Sequence, residues 1–438
     1  MERLTGLRID SLAHGGAAVA RAEDGRVVFV RGGCPGDVLD ADVTADKGRF
    51  LEADVAQVTE PSPERRKPPC PYFGDCGGCQ WQHVSHSAQL AAKRLQVLDA
   101  LTRIGRFEDV QVGDVVVGEG PYGYRNRIEL RVGAGADGRP LVGMTATGTD
   151  RLVPIDTCLL LPERARKAPK ALDGAIRYLA GRSPLDIDRV SLRVGARTRD
   201  IAVDLWGAPG PFPRQAVAKT LGDALRTTTV TRVLVKDDAS KRADLKVEVL
   251  SGKGYWRERL GGFTYRVSAP SFFQVNTALA ERMVELVLEA LQADGADRVL
   301  DLYAGVGTFT LPLAEVAGEV VAIEGTGSAV RDLRNNLEEA ETWAEVMPGD
   351  AARALADVGK FDLAVVDPPR AGMTSDALAA LVRTRAHRLC YVSCDPATLA
   401  RDARALADAG YRLVSATPVD LFPQTWHIET IAVLERDA

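Results

Sequence analysis

No apolar run in this chain approaches the stretch of about 20 residues that a membrane-spanning helix needs. The N-terminus, Met1-Glu-Arg-Leu-Thr5, lacks the apolar segment of a secretory leader. Neither an internal repeat nor a low-complexity tract is present, which excludes a repeat array. Positive charge is not in excess. The formal net charge is -5, which argues against a generic nucleic-acid binder. These absences lead to an expectation of a cytoplasmic, monomeric protein without a membrane partner. In that reducing setting, the seven cysteines are read as metal ligands, nucleophiles or core thiols rather than disulfides.

The 438 residues leave room for two to four domains with ample core. Charge is uneven. Residues 151–250 are basic and residues 251–438 acidic, so the middle can attract a polyanion locally. Residues 1–60 read as short strands, among them Arg26–Arg31, Asp37–Val43 and Glu52–Val58, and a small β-barrel is their natural closure. The proline-rich run 61–69 suits neither a helix nor a central strand. A helix is expected over Ser87–Ile104. Residues 61–265 read as a mixed, strand-rich central domain, with runs such as Ser191–Val194 and Arg232–Lys236. Over residues 266–438 a helix, Thr277–Leu291, precedes strands alternating with helices. Strands are expected at Arg298–Tyr303, Glu319–Glu324, Ala344–Met347, Phe361–Val366, Arg388–Ser393, Tyr411–Ser415 and Ile428–Leu434. This alternation predicts an α/β class with a doubly wound sheet.

Polar loops at the C-terminal ends of such strands form active sites. Asp301-Leu-Tyr-Ala-Gly305-Val-Gly307 follows one strand and opens a helix expected over Phe309–Ala317. Its glycines permit a tight turn and close approach of a ligand. Glu324 ends the next strand, where an acid can accept hydrogen bonds from ribose hydroxyls. The pattern departs from the dinucleotide fingerprint and suits a cofactor without a pyrophosphate, such as S-adenosylmethionine. Cys394 stands in a polar turn after an apolar strand, before a helix whose dipole favours a thiolate. Cys390 and Cys34 read as core thiols. Glu429 lies in an apolar strand, where desolvation raises a carboxyl pKa and equips it as a general base.

Cys70, Cys76 and Cys79 share a Pro/Gly-rich loop, and Cys158 stands apart. Together they can wrap a four-coordinate metal, and the spacing favours neither zinc nor an iron–sulfur cluster. Phe73, Trp81, Tyr122 and Tyr124-Arg-Asn-Arg127 interleave rings with cations, which suits unstacked RNA bases.

Five motifs carry a resemblance over nearly the whole chain. They are Ser271-Phe-Phe-Gln-Val-Asn276, Asp301-Leu-Tyr-Ala-Gly-Val-Gly-Thr308, Asp367-Pro-Pro-Arg370, Tyr391-Val-Ser-Cys-Asp-Pro-Ala397 and His427-Ile-Glu429. In this order and spacing the chain resembles the RNA uracil-5 methyltransferase (5-methyluridine) family, which acts on rRNA or tRNA. The resemblance implies a class I, Rossmann-like methyltransferase domain over 266–438. It also implies a TRAM-like, OB-like barrel over 1–60 that binds RNA. Cys394 would be the nucleophile and Glu429 the base that removes the carbon-5 proton. Gln274, Tyr303, Glu324 and Asp367 would contact S-adenosylmethionine. Cys70, Cys76, Cys79 and Cys158 would ligate a 4Fe-4S cluster. Two residues depart from the family pattern. Asp395 stands where Asn is frequent, and Tyr303 where Phe is common. The rival readings are an RNA cytosine-5 methyltransferase, an amino-group methyltransferase and a non-catalytic iron–sulfur RNA-binding protein. The Asp-Pro-Pro-Arg loop with a Glu base favours uracil over the first. Arg370, in place of an aromatic residue, disfavours the second, and the intact Cys394 and Glu429 disfavour the third.

Overall fold

Among the described residues, strands form three large sheets and one two-stranded hairpin. The computed structural model describes residues 2–135, 138–235, 245–356 and 358–436. The first sheet has six strands in the order Arg3–Arg8, Val38–Asp46, Phe50–Glu60, Val27–Arg31, Ala18–Arg21, Ser11–Leu12. Burial alternates along Val27–Arg31 and the start of Val38–Asp46, so one face closes over Leu7, Ile9, Val30, Leu39 and Leu51. Cys34 is buried in the same core.

Residues 61–69 contain neither a helix nor a named strand, as their prolines dictate. The cysteine loop follows. Trp81 was expected to be available to RNA bases. It is instead fully buried in the core of the first sheet, and its Nε1 donates to Gly16 O at 2.9 Å. Ser85 caps the next helix, His86–Arg103, by accepting from Ala88 N.

The central sheet has seven strands, from Lys246–Gly252 at one edge to Leu152–Pro154 at the other. Helices Ala168–Ala180 and Arg214–Leu225 supply Leu172, Ile176, Val217 and Leu221 to its core. The expected run Arg232–Lys236 appears as Thr229–Leu234, and Lys236 lies outside the described residues.

The third sheet orders its strands Glu345–Pro348, Glu319–Glu324, Arg298–Leu302, Leu363–Val366, Arg388–Ser393, Glu429–Arg436, Tyr411–Val419. The first five run parallel, and Glu429–Arg436 runs antiparallel between its two neighbours. Central strands such as Leu363–Val366 are buried at every residue, because helices cover both faces. This is the expected doubly wound α/β sheet, with its loops gathered at the C-terminal ends of the parallel strands.

Candidate active site

Three strand ends set the floor of one cleft. After Arg298–Leu302 the chain turns through Tyr303, whose φ of 66° is unusual for a bulky residue. Gly307 follows at φ 96°, and a Cβ there would lie 2.6 Å from side-chain carbons of Leu311 and Leu333. Only glycine lets this turn pack on the helices behind it. Glu324, at the end of the next strand, accepts from Gly305 N at 2.9 Å and from Thr326 N at 2.5 Å. Each oxygen retains a second lone pair for a ligand hydroxyl. Asp367 begins the third loop.

Cys394 and Glu429 meet because of sheet register. Ser393 pairs with Thr430 across antiparallel strands, so the next residue outward on each chain faces the same edge. Asp395 caps the helix Pro396–Asp408 by accepting from Ala397 N and Thr398 N, both at 3.0 Å.

The cleft, about 630 Å³, is lined by Gln274, Tyr303, Glu324 and Asp367, all four residues singled out for the cofactor. Gln274 Oε1 is buried with no hydrogen-bond partner among the described residues, so it fits a ligand N–H donor. A second cavity, about 420 Å³, is lined by Cys70, Cys76, Cys79 and Cys158. Cys394, Glu429, Arg370 and Phe272 line both, so the two nominated catalytic residues stand in the wall between them. That the cysteine loop would open onto the same space as Cys394 was not apparent from sequence spacing.

Electrostatics in this wall are dominated by desolvation. Burial, then Glu429, pushes the Cys394 thiol up to about 12, and Asp367 and Asp395 add to the push. Arg370 is the cation that pulls it back down. Burial lifts Glu429 well above the ordinary carboxyl range, with Asp367 adding and Arg370 opposing. Asp367 is raised to about 7 by burial and then Asp301. A carboxyl so raised is a stronger base than a solvated one. His427 behaves differently. Burial and then Arg370 lower it to about 3, and its Nδ1 accepts from Arg370 Nη2 at 2.5 Å. The neutral ring therefore spends one acceptor on the guanidinium. Arg370 and Phe272 are site residues that motif reading left out. The Asp-Pro-Pro-Arg loop was the signal for the first, and Phe272, 55% exposed beside buried Phe273, falls within the Ser271–Asn276 motif, in which only Gln274 had been given a role.

In the second cavity, burial pushes Cys76 to about 11 and Cys79 to about 12, and Cys158 is raised for the same reason. Nearby thiols raise one another, so ionising the set together requires a cation. Among the described residues, no three His, Cys, Asp or Glu side chains are drawn together closely enough to hold a metal ion.

A family model described as tRNA (Uracil-5-)-methyltransferase matches residues 214–346 and 354–437, and a TRAM domain model matches residues 7–56. The chain is 35% identical to a 23S rRNA (uracil(1939)-C(5))-methyltransferase, RlmD, of Chromohalobacter salexigens, covering 99% of this chain and 89% of the relative. It is also 35% identical to an uncharacterized RNA methyltransferase of Gloeobacter violaceus, covering 98% and 95%. Among solved structures, Pyrococcus abyssi tRNA (uracil-54, C5)-methyltransferase, in complex with S-adenosyl-L-homocysteine, superposes with a TM-score of 0.76 at 27% identity. The match covers 98% of this chain and 99% of that one. With the cleft, the sheet order and these matches in agreement, the chain belongs to the S-adenosylmethionine-dependent RNA uracil-5 methyltransferase family and carries an N-terminal TRAM domain.

Proposed function

We propose that this enzyme methylates carbon 5 of a uridine in rRNA or tRNA through a covalent adduct on Cys394. The observation that carries the reading is the position of Cys394 and Glu429 in the wall shared by the two cavities. A uracil entering from one side and a methyl donor from the other would meet there. Carbon 5 of uracil is a weak nucleophile by itself. The Cys394 thiolate adds to carbon 6, and the electrons of the 5,6 double bond move toward oxygen 4, which makes carbon 5 nucleophilic. S-adenosylmethionine, when bound, would supply an electrophilic methyl group for carbon 5, the sulfonium–methyl bond breaking as S-adenosylhomocysteine leaves. Glu429 then takes the carbon-5 proton, the electron pair re-forms the double bond, and the carbon–sulfur bond to Cys394 breaks. Burial strengthens Glu429 for that task. Arg370, beside both groups, offsets their negative charge.

Gln274, Tyr303, Glu324 and Asp367 would hold S-adenosylmethionine. The unpartnered Gln274 Oε1 suits its ammonium group, and Glu324 suits its ribose hydroxyls. Cys70, Cys76, Cys79 and Cys158 would ligate a 4Fe-4S cluster. Four thiols on one cavity supply the right donor number, a cluster with four separate irons would need them spread wider than a single ion does, and it would supply the cation that their ionisation requires. The TRAM domain supports RNA as the partner. The relatives act on 23S rRNA and on tRNA respectively, so both are candidate substrates.

The test is a pair of variants. Cys394→Ala abolishes methyl transfer while leaving binding of S-adenosylhomocysteine intact. Glu429→Gln transfers the methyl and then stalls, and a methylated protein–RNA complex accumulates on denaturing gels. Free turnover by either variant would sink the mechanism. Mass spectrometry of total rRNA and tRNA from a deletion strain identifies the substrate.

A further inference from the structure

One turn of the N-terminal sheet reaches the Cys394 loop. His14 Nε2 lies 3.4 Å from Asp395 Oδ2. The His14 ring meets Trp426 edge-on, with centroids 4.5 Å apart, and Trp426 in turn lies 3.8 Å from the His427 ring. The turn is fastened from beneath by the Trp81 hydrogen bond to Gly16 O. At Gly16, φ is +96°, and a Cβ would meet Trp426 Cδ1 at 3.0 Å, so the backbone sits directly against the catalytic loop.

Asp395 has two tasks that conflict. One oxygen caps the helix Pro396–Asp408, which rewards a carboxylate at the dipole's positive end. The same negative charge stands next to Cys394 and opposes loss of its proton. Asparagine would cap without that penalty. Here the carboxylate is instead met by His14, and this contact, ahead of the helix amides, holds Asp395 at about 2. The other charged or titratable groups facing this corner are Arg370, Asp367, Glu429 and His427 from the methyltransferase domain, with Lys93 and Arg125 acting on His427 from outside it. His14 comes from the TRAM domain.

We propose that His14 is a positioning residue for the nucleophile: the TRAM domain places it on Asp395, and it makes the reactivity of Cys394 depend on docking of that domain. The idea rests on Cys394 being the nucleophile, but its test reads the thiol directly and needs no RNA. Iodoacetamide labelling of Cys394 in the full-length protein is followed by peptide mapping from pH 6 to pH 10. His14→Ala and the milder His14→Gln both slow labelling at neutral pH, by at most about fivefold, the full worth of a strong surface pair, and move the profile to higher pH. Asp395→Asn keeps the helix cap and removes the charge, so His14→Ala/Asp395→Asn reacts as fast as Asp395→Asn alone. Wild-type rates in both His14 variants, or a double variant no faster than His14→Ala, overturn the proposal. If Cys394→Ala still methylates RNA, the covalent mechanism fails, whereas the labelling result stands on its own.

Discussion

The loop that carries Trp426, His427 and the approach to Glu429 is held by a buried ion pair, Lys93 with Asp420, to which His86 adds a hydrogen bond, and breaking it has a calculable cost. Lys93, on the helix His86–Arg103, is fully buried. Its Nζ donates to Asp420 Oδ1 and, at 3.1 Å, to Phe422 O. Asp420 Oδ2 bonds His86 Nε2 at 2.8 Å, and Asp420 is itself 1% exposed. Lys93→Met removes one partner and leaves a buried carboxylate facing a single imidazole. Breaking a buried pair in this way costs about 3–5 kcal/mol. Lys93→Met/Asp420→Leu removes both charges, so it should be more stable than Lys93→Met alone. Burial pushes Asp420 up, but His86 and Lys93 outweigh it and hold Asp420 below the ordinary carboxylate range. The sign follows. The stabilisation is complete above the unfolded carboxylate value of about 3.9 and is lost as pH falls through the lower folded value. Urea denaturation of the three proteins at pH 7 and again in acid reads all of this. A loss below about 1 kcal/mol for Lys93→Met at pH 7 refutes the reasoning, since it would place the ammonium at the worth of a surface pair. Methyl transfer should fall with loop order, while S-adenosylhomocysteine binding, assigned by the proposed reading to the other side of the wall, should persist.

Three further outcomes are expected. Gln274→Ala removes the unpartnered Oε1 and should weaken S-adenosylmethionine binding by about 1–3 kcal/mol, read by calorimetry; an unchanged Kd removes Gln274 from the cofactor site. Because the Cys394 thiol is held up near 12, its reactive form is scarce at neutral pH, so labelling of the free enzyme should rise about tenfold per unit through pH 7–9, and a plateau below pH 8 contradicts this. Anaerobically purified protein should be brown with about four irons per chain, Cys158→Ser should lower that content, and colourless protein with one zinc favours zinc instead.

The elements that sequence placed best are central strands buried on both faces and a helix with one continuous apolar stripe. Glu319–Glu324 and Arg388–Ser393 have the expected bounds because their apolar positions have no solvent-facing alternative, and Thr277–Leu291 because its buried positions recur at helical spacing. The helix expected over Phe309–Ala317 is only Thr310–Ala314, since Phe309 is used in entering it and Glu315 already leaves it. The strand expected over Tyr411–Ser415 runs on to Val419. A register shift between Leu413 and Ser415 breaks the alternation on which the shorter reading relied. Trp81 failed as an RNA contact because an aromatic residue beside cations looks the same whether it stacks on a base or fills a core. Glu324, Asp367, Cys394 and Glu429 were accessible one by one, through strand ends and a carboxylate in an apolar run, whereas Gln274 and Tyr303 came only through the family resemblance. The shared wall was not, because it depends on the cysteine loop folding back over Cys394. The contact of His14 with Asp395 joins positions at opposite ends of the chain, and no local pattern announces it.

The central claim is that Cys394 bonds to carbon 6 while Glu429 removes the proton from carbon 5. Fluorine at carbon 5 cannot leave as a proton does. The direct measurement is therefore digestion and mass spectrometry of the enzyme after incubation with S-adenosylmethionine and 5-fluorouridine-substituted rRNA and tRNA. The account predicts a stable adduct on the peptide containing Cys394, carrying a methylated fluorouridine. Methylation of ordinary RNA with no trapped adduct, or an adduct on another residue, would contradict it.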